Sequence, residues 1–375
     1  MENCVYWIWL TEKYGITSAK ISALLDKFGT IDAIYKANNY SHIERITEND
    51  IKSLADKNLD GANDIYKKMS ELDGYILTYD MEEYPDKLRN ITPIPYILYV
   101  RGKHINLDEA LTIGVIGSRH ATDYGRLVTS RLAGELSFQG VILISGMARG
   151  LDAVASGQAL KYNMPTVAVI GSGLDVVYPK ENERLMYDII KTGMVISEYP
   201  PGSEPRREHF PERNRIIAGL SNGVLVTQAK KGSGSLITAR CAMEYGRDVF
   251  SVPGNILDPM YEGTNRLIQQ GAKLVMRAGD IIEEYPYAKF TAIELKVTEP
   301  QKEAEPLIED KAKPKGLSDI EEKIFDLLTQ RDMSVDEMTG RLDISAQDMN
   351  IKMTMLEVRG VVEKMPGNIY KIKTS

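Results

Sequence analysis

Apolar positions along the chain change their spacing twice. Over residues 1–75 they recur at helical intervals: Ile21, Leu24, Leu25 and Phe28 make one stripe, Gly29 stops it, and Ile31, Ile34 and Tyr35 begin another. Turns at Gly15-Ile16-Thr17-Ser18 and Lys27-Phe28-Gly29-Thr30 predict a small helical module of the helix-hairpin-helix or sterile-alpha-motif kind. Such a module serves either to grip a DNA backbone through turn amides or simply to pack. From about 105 to 286 the pattern becomes short runs rich in Val and Ile, at 111–116, 141–145, 166–170, 194–197, 223–227, 248–252 and 272–275. Helical stretches such as 124–138, 182–191 and 236–245 separate them. Runs that are apolar throughout predict strands buried on both faces, hence a parallel sheet in an extended Rossmann-like, doubly wound α/β fold. Two further runs, 75–79 and 96–100, add edge strands and bring this domain to 76–286.

Residues 287–316 hold no sustained apolar period but six lysines, six acidic residues and three prolines, the composition of a solvated linker. In 317–375, helical patterns at 318–329, 334–341 and 345–358 end at Gly360 and give way to a hairpin of 361–365 and 369–372 around Pro366-Gly367-Asn368. Three helices and a hairpin predict a winged helix. Its third helix carries Asp348, Lys352, Glu357 and Arg359, which is not a basic face, so groove reading and protein contact both stay open.

Charge and composition narrow the field. Among 375 residues, 46 basic against 53 acidic side chains give a net charge of −7. That excludes a generally basic nucleic-acid coat and permits a local basic groove. No run approaches the roughly 20 apolar residues of a membrane helix, and Met1 to Leu10 lacks the basic start of a signal peptide. The two cysteines, Cys4 and Cys241, offer neither a disulfide framework nor metal-ligand spacing. A cytoplasmic protein with no membrane partner and no metal is expected.

The candidate chemistry lies in the loops at the carboxyl ends of the predicted strands, where doubly wound sheets bind ligands. The first strand is followed by Gly117-Ser118-Arg119, the second by Ser145-Gly146-Met147-Ala148-Arg149-Gly150, the third by Gly171-Ser172-Gly173, and the fifth by Lys230-Lys231-Gly232-Ser233-Gly234-Ser235. Glycine lets backbone amides approach an anion, serine adds hydroxyl donors, and a following helix favours negative charge at its N-terminus. No G-x-G-x-x-G fingerprint and no Walker lysine motif is present, so no dinucleotide or nucleotide cofactor is predicted. Several separate phosphate seats suit a polynucleotide strand.

The loop after the fourth strand points the same way. It runs through Arg206, Arg207, His209, Phe210, Arg213, Asn214 and Arg215, and the stretch 201–247 holds eight basic against four acidic residues, +4 within a chain of −7. Cations that follow a backbone around a ring that stacks on a base are the means of single-strand binding. Catalytic signals are thin. The four histidines have no metal or nucleophile spacing, and Asp152, Asp175 and Glu198 suit helix caps or partners for arginine.

Together these motifs resemble the DNA-processing protein A family (DprA, also called Smf) over about 105–280. The resemblance rests on Gly117-Ser118-Arg119, Ser145-Gly146-Met147-Ala148-Arg149-Gly150-Leu151-Asp152, Tyr178-Pro179-Lys180-Glu181-Asn182, Ser197-Glu198-Tyr199-Pro200-Pro201-Gly202 and Phe210-Pro211-Glu212-Arg213-Asn214-Arg215. Gly234-Ser235-Leu236-Ile237-Thr238-Ala239-Arg240, Val252-Pro253-Gly254 and Gly263-Thr264-Asn265 extend it. Ser156 and Gln228 stand where many members have His and Glu. The resemblance implies a non-catalytic, usually dimeric protein without cofactor that protects single-stranded DNA and loads the RecA recombinase onto it, notably in natural transformation. It implies that Arg119 and Arg207 contact phosphates and that Phe210 holds the bases.

The alternative is a nucleotide-binding protein or nucleotide N-glycoside hydrolase, whose P-G-G-x-G-T-x-x-E loop aligns near 232–238. Here Ser235 replaces the Thr and Thr238 the Glu, so the acid that chemistry needs is missing.

Overall fold

The structure, a computed structural model, describes residues 2–288, 317–330, 333–342, 344–365 and 369–372. The expected linker from 289 to 316 and the Pro366-Gly367-Asn368 turn lie outside the described residues. Residues up to 298 and from 299 on divide into two units.

The first unit is built on a nine-stranded sheet. Its strands are β1 (Gly74–Thr78), β2 (Ile97–Gly102), β3 (Thr112–Ile116), β4 (Ile142–Ser145), β5 (Thr166–Ile170), β6 (Met194–Ser197), β7 (Gly223–Val226), β8 (Asp248–Ser251) and β9 (Lys273–Leu274), in the order β1-β2-β6-β5-β4-β3-β7-β8-β9. From β6 to β9 every neighbouring pair is parallel, while β2 pairs antiparallel with β6 and β1 with β2. This is the expected extended Rossmann-like sheet, with strand limits within a residue or two of the apolar runs.

Burial explains the agreement. All five residues of β3 and of β5 are buried. Alternate side chains feed opposite cores: Ile142 and Ile144 of β4 join Val224 and Val226 of β7 on one face, and Leu143 joins Ile113, Val115 and Leu225 on the other. The N-terminal helices (Glu2–Thr11, Ser18–Phe28, Ile31–Lys36, Glu48–Ala55 and Asp60–Glu71) belong to the same unit. Trp7, Ile8, Leu24 and Ile34 share a cluster with Tyr99, Ala168 and Val195 of the sheet.

Strand order places the ligand crevice. The chain steps outward from β3 through β4 and β5 to β6, then crosses back on the helix His209–Leu220 to lay β7 against the free side of β3. The direction of winding reverses between β3 and β7, and the crevice outside their carboxyl ends is the switch point of a doubly wound sheet.

The second unit holds the helices Asp319–Gln330, Val335–Leu342 and Ala346–Val358 and the strands β10 (Met333–Ser334), β11 (Val362–Met365) and β12 (Ile369–Ile372), in the order β10-β12-β11. This is the expected winged helix, with β10 as a third strand. Its core joins Ile324, Phe325, Met349, Met353, Leu356 and Tyr370. No helix among the described residues is long and apolar enough to cross a membrane.

Candidate nucleic-acid interface

The crevice at the switch point is a cleft of about 520 Å³. Its charged lining residues are Arg119, Arg207, Arg213 and Lys230 against a single carboxylate, Asp152. Arg119, Arg207 and Lys230 are exposed, and no carboxylate among the described residues pairs with them. Phe210 stands among these cations, half-buried, in the first turn of the crossover helix. The Arg119 guanidinium lies 5.3 Å from the centre of its ring, and Tyr178 lies beside it at 5.5 Å between centroids. A cavity of about 140 Å³, lined by Gly171, Ser172, Tyr178 and Phe210 among others, continues the cleft past the ring.

Residues 209–220 form a helix, whereas the sequence suggested a loop running through Phe210, Arg213, Asn214 and Arg215. Helical spacing splits this set. Phe210, Arg213, Asn214 and Ile217 line the cleft, at intervals of three and four, while Arg215 points to another groove. There it donates from Nη2 to both oxygens of Glu198, at 2.6 and 2.5 Å, and is itself buried. Arg215 is therefore removed from the set of cleft residues. Its groove, about 460 Å³, lies between the N-terminal helices and the strand ends and is lined by Glu12, Ile16, Tyr96, Tyr199 and Glu212 besides Arg215.

The glycine-rich loops differ from the expected row of open anion seats. After β3, the Gly117 N–H donates to Asp152 Oδ1 at 3.4 Å and the Ser118 N–H to the Gln228 carbonyl at 2.9 Å. The Ser118 hydroxyl accepts from His120 N–H, and the side chain of Gln228 both donates to and accepts from Thr122, so this loop is pinned from within. After β4, the Ser145 hydroxyl is buried and donates to the Val115 carbonyl, and the Gly146 N–H donates to Asp152 Oδ2 at 3.2 Å. Ser145 and the amides of Gly117 and Gly146 thus do not face a ligand. The reason is one buried carboxylate that collects both amides. Gly150, at φ 77, brings its backbone so close to the β3 loop that a Cβ there would sit 2.3 Å from the Ser118 carbonyl oxygen, which only glycine avoids. Arg149 is exposed and pairs with Glu181 at 2.8 Å.

After β5, the Gly173 N–H donates to the Ser203 carbonyl and the Ser172 hydroxyl to that of Val176, and all three loop residues are buried. Ser172 and Gly173 are therefore occupied internally, while Gly171 packs against Phe210 Cδ1, 3.4 Å from where its own Cβ would be.

The loop after β7 is the open one. Gly232, Ser233, Gly234 and Ser235 line the cleft and lead into the helix Ser235–Glu244, the Ser233 and Ser235 hydroxyls bond each other at 2.8 Å, and Asn214 donates to the Gly234 carbonyl. Among the described residues the Gly234 and Ser235 amides have no acceptor. An orphan pair of amides at a helix N-terminus beside Lys230 is the part of the rim suited to a phosphate. Lys231, also exposed, lies outside the cleft lining, and Lys230 takes its place.

Tyr178, His120 and Lys230 complete the site without having been singled out in the sequence. Tyr178 falls in a motif already noted, Tyr178-Pro179-Lys180, whose aromatic character was the available signal. Nothing in the pair Lys230-Lys231 distinguishes one lysine from the other.

Arg213 is not a surface cation. It is 4% exposed, and its Nη1 donates to the Gly146 carbonyl at 2.7 Å and to the Val169 carbonyl. Burial pulls its guanidinium down to about 10, against the favourable charge of Asp152, and burial likewise raises the Asp152 carboxyl while Arg213 opposes the rise.

In the winged helix, Lys352 and Arg359 share one carboxylate. Glu321, buried at the start of the helix Asp319–Gln330, accepts the Ser318 N–H at 2.8 Å and lies 3.6 Å from both Lys352 Nζ and Arg359 Nη1. The Ser318 N–H, backed by those two charges, holds its carboxyl below the usual range despite burial. Ile351 and Met355 stand more than half exposed on the same third helix.

The sequence carries the family signature to match this geometry. A family model described as DNA recombination-mediator protein A matches residues 75–286, more than half of the chain, and a second, the DprA winged helix domain, matches 309–368. The chain belongs to the DNA recombination-mediator protein A family. Among DprA relatives, the DNA processing protein DprA of Streptococcus pneumoniae (strain ATCC BAA-255 / R6) is 37% identical over 282 residues, covering 75% of this chain and 98% of the relative. The solved structure of DprA from Streptococcus pneumoniae is similar with a TM-score of 0.67 at 36% identity, over 75% of this chain and 97% of that one. DNA processing protein A from Helicobacter pylori, whose structural description concerns a unique single-stranded DNA binding mode, is similar with a TM-score of 0.52 at 31% identity, over 56% and 94% of the two chains.

Proposed function

We propose that this DprA-family protein binds single-stranded DNA in the cleft between the ends of β3 and β7, with phosphates on Arg119, Arg207, Lys230 and the Gly234–Ser235 amides and a base against Phe210. One observation carries the reading: three exposed cations, unpaired with any carboxylate among the described residues, surround a half-buried ring at the switch point. Unpaired bases can meet that ring, whereas bases stacked within a duplex cannot. The binding mode described for the Helicobacter pylori relative supports the same substrate.

The protein acts without catalysis of its own. Among the described residues lining the cleft, the one carboxylate, Asp152, is spent on backbone amides, including those of Gly117 and Gly146, and Thr238 occupies the place where a nucleotide N-glycosidase carries its acid. Family membership extends the reading to a cytoplasmic homodimer that protects incoming strands and loads RecA onto them during natural transformation and homologous recombination.

An electrophoretic shift with labelled oligo-dT, challenged by poly-dT, duplex DNA and AMP, tests the substrate. Poly-dT should compete, duplex poorly and AMP not at all. Equal competition by duplex would remove the base–ring contact, and release of free adenine from AMP would replace the binder by an enzyme. Sedimentation equilibrium, and RecA filament formation on strands pre-bound by this protein, test the two partners.

A further inference from the structure

The buried end of the cleft is organised around the backbone of one glycine. The Gly146 N–H donates to Asp152 Oδ2 and the Gly146 carbonyl accepts from Arg213 Nη1, so that one residue joins two opposite charges. A Cβ on Gly146 would lie 2.7 Å from both Asp152 Oδ2 and Arg213 Nη2. The same two side chains reach further: Asp152 also takes the Gly117 N–H at the end of β3, and Arg213 also donates to Val169 of β5. Three adjacent strand ends are thereby tied to one buried pair of groups.

Each end of this system presents a surface residue. Gly117 precedes Arg119 by two positions, and the Leu151 N–H, next to Asp152, donates to the Ser118 carbonyl between them. Arg213 lies one helical turn after Phe210 on the same face of the crossover helix, and anchors that turn to the sheet. The guanidinium of Arg119 and the ring of Phe210 meet at 5.3 Å above the buried groups.

We propose that Asp152 and Arg213 are positioning residues for strand binding, which through Gly146 fix the loop that presents Arg119 against the helix that presents Phe210, and that neither contacts DNA. The proposal rests on the single-strand reading above and assigns Arg213 a role other than phosphate contact. Its physical content is preorganisation: a cleft whose cation and ring are held in place before the strand arrives spends less free energy on ordering them.

Phosphate contact and positioning leave different traces. Loss of a phosphate contact on a single strand lowers the slope of log affinity against log salt by about 0.7. Loss of a positioning group lowers affinity at unchanged slope. Anisotropy titrations of labelled oligo-dT, at several salt concentrations and with the active fraction fixed by stoichiometric titration, compare the full-length parent with Asp152→Asn, Arg213→Gln, Gly146→Ala and, as the contact control, Arg119→Ala.

Asp152→Asn and Arg213→Gln should each weaken binding on the order of tenfold at the parental slope, the scale of losing hydrogen bonds to a buried charge. Arg119→Ala should lower the slope by about 0.7. Gly146→Ala, which keeps both charges and only wedges them apart, should weaken binding at the parental slope and answers the question if either charge variant does not fold. The proposal is overturned if Arg213→Gln lowers the slope as Arg119→Ala does. Parental affinity in the folded fraction of Asp152→Asn or Gly146→Ala also overturns it, because the role is then confined to folding. A parent that fails to bind oligo-dT at any salt removes the underlying single-strand reading instead.

Discussion

Two surfaces of this chain carry basic residues, in loops at the strand ends of the α/β unit and on the third helix of the winged-helix unit, and they differ in what those residues already touch. In the cleft of the α/β unit, Arg119, Arg207 and Lys230 are exposed and meet no carboxylate among the described residues. On the third helix of the winged-helix unit, Lys352 and Arg359 both lie 3.6 Å from the buried Glu321. By count the two surfaces are similar. The first can exchange counterions for phosphates, and the second must first give up an internal partner. A charge marks a nucleic-acid surface only to the extent that the fold has left it unspent.

The contrast can be broken from either side. The largest effect is expected from Phe210→Ala, which should cost about 1–3 kcal/mol of single-strand affinity in filter binding, since its ring stands in the cleft beside the Arg119 guanidinium, where a base can stack. Arg207→Ala comes next. It should weaken binding about fivefold near 0.1 M salt and lower the salt slope by about 0.7, one phosphate's share. Glu321→Gln should leave strand affinity at the parental value and lower the stability of the winged helix by roughly 1 kcal/mol, because Gln keeps an acceptor for the Ser318 N–H but loses the charge that pairs with Lys352 and Arg359.

The same carboxyl sets a pH window. Because its folded pKa is depressed, its contribution is complete above the unfolded value of about 4.3 and disappears as pH falls through the folded value. Calorimetry of the parent should therefore show the winged helix losing stability on acidification below that point, and Glu321→Gln should flatten the dependence. The smallest effect is expected from Lys352→Ala. A change in single-strand affinity beyond about twofold would show that the third helix does carry phosphate and would erase the distinction between the two surfaces.

The strands of the sheet were legible because burial on both faces leaves an uninterrupted apolar run such as Thr166–Ile170, which few other environments produce. The winged helix was legible from its capping and turn residues. The crossover helix was not. Its first turn, His209-Phe210-Pro211-Glu212-Arg213, has a proline and three charged or polar neighbours, and it is helical because Ile216, Ile217, Ala218 and Leu220 bury its other end in the core. Missing that helix merged Arg213 with Arg215, which the fold sends to different cavities. The glycine loops do lie at the carboxyl rim of the sheet, beside the cleft. Their composition could not reveal that Asp152, distant by 35 and 6 residues from the two glycines it serves, had already claimed their amides.

The crossover helix His209–Leu220 also borders both cavities, with Phe210 on one flank and Glu212 and Arg215 on the other. Its backbone is one continuous helix, so a substitution that tilts it from the Arg215 side should displace the ring on the far side. A genetic screen for impaired strand capture should accordingly yield two clusters of alleles, one lining the nucleotide track and one in a groove that no nucleotide enters. Only their salt profiles would tell the clusters apart.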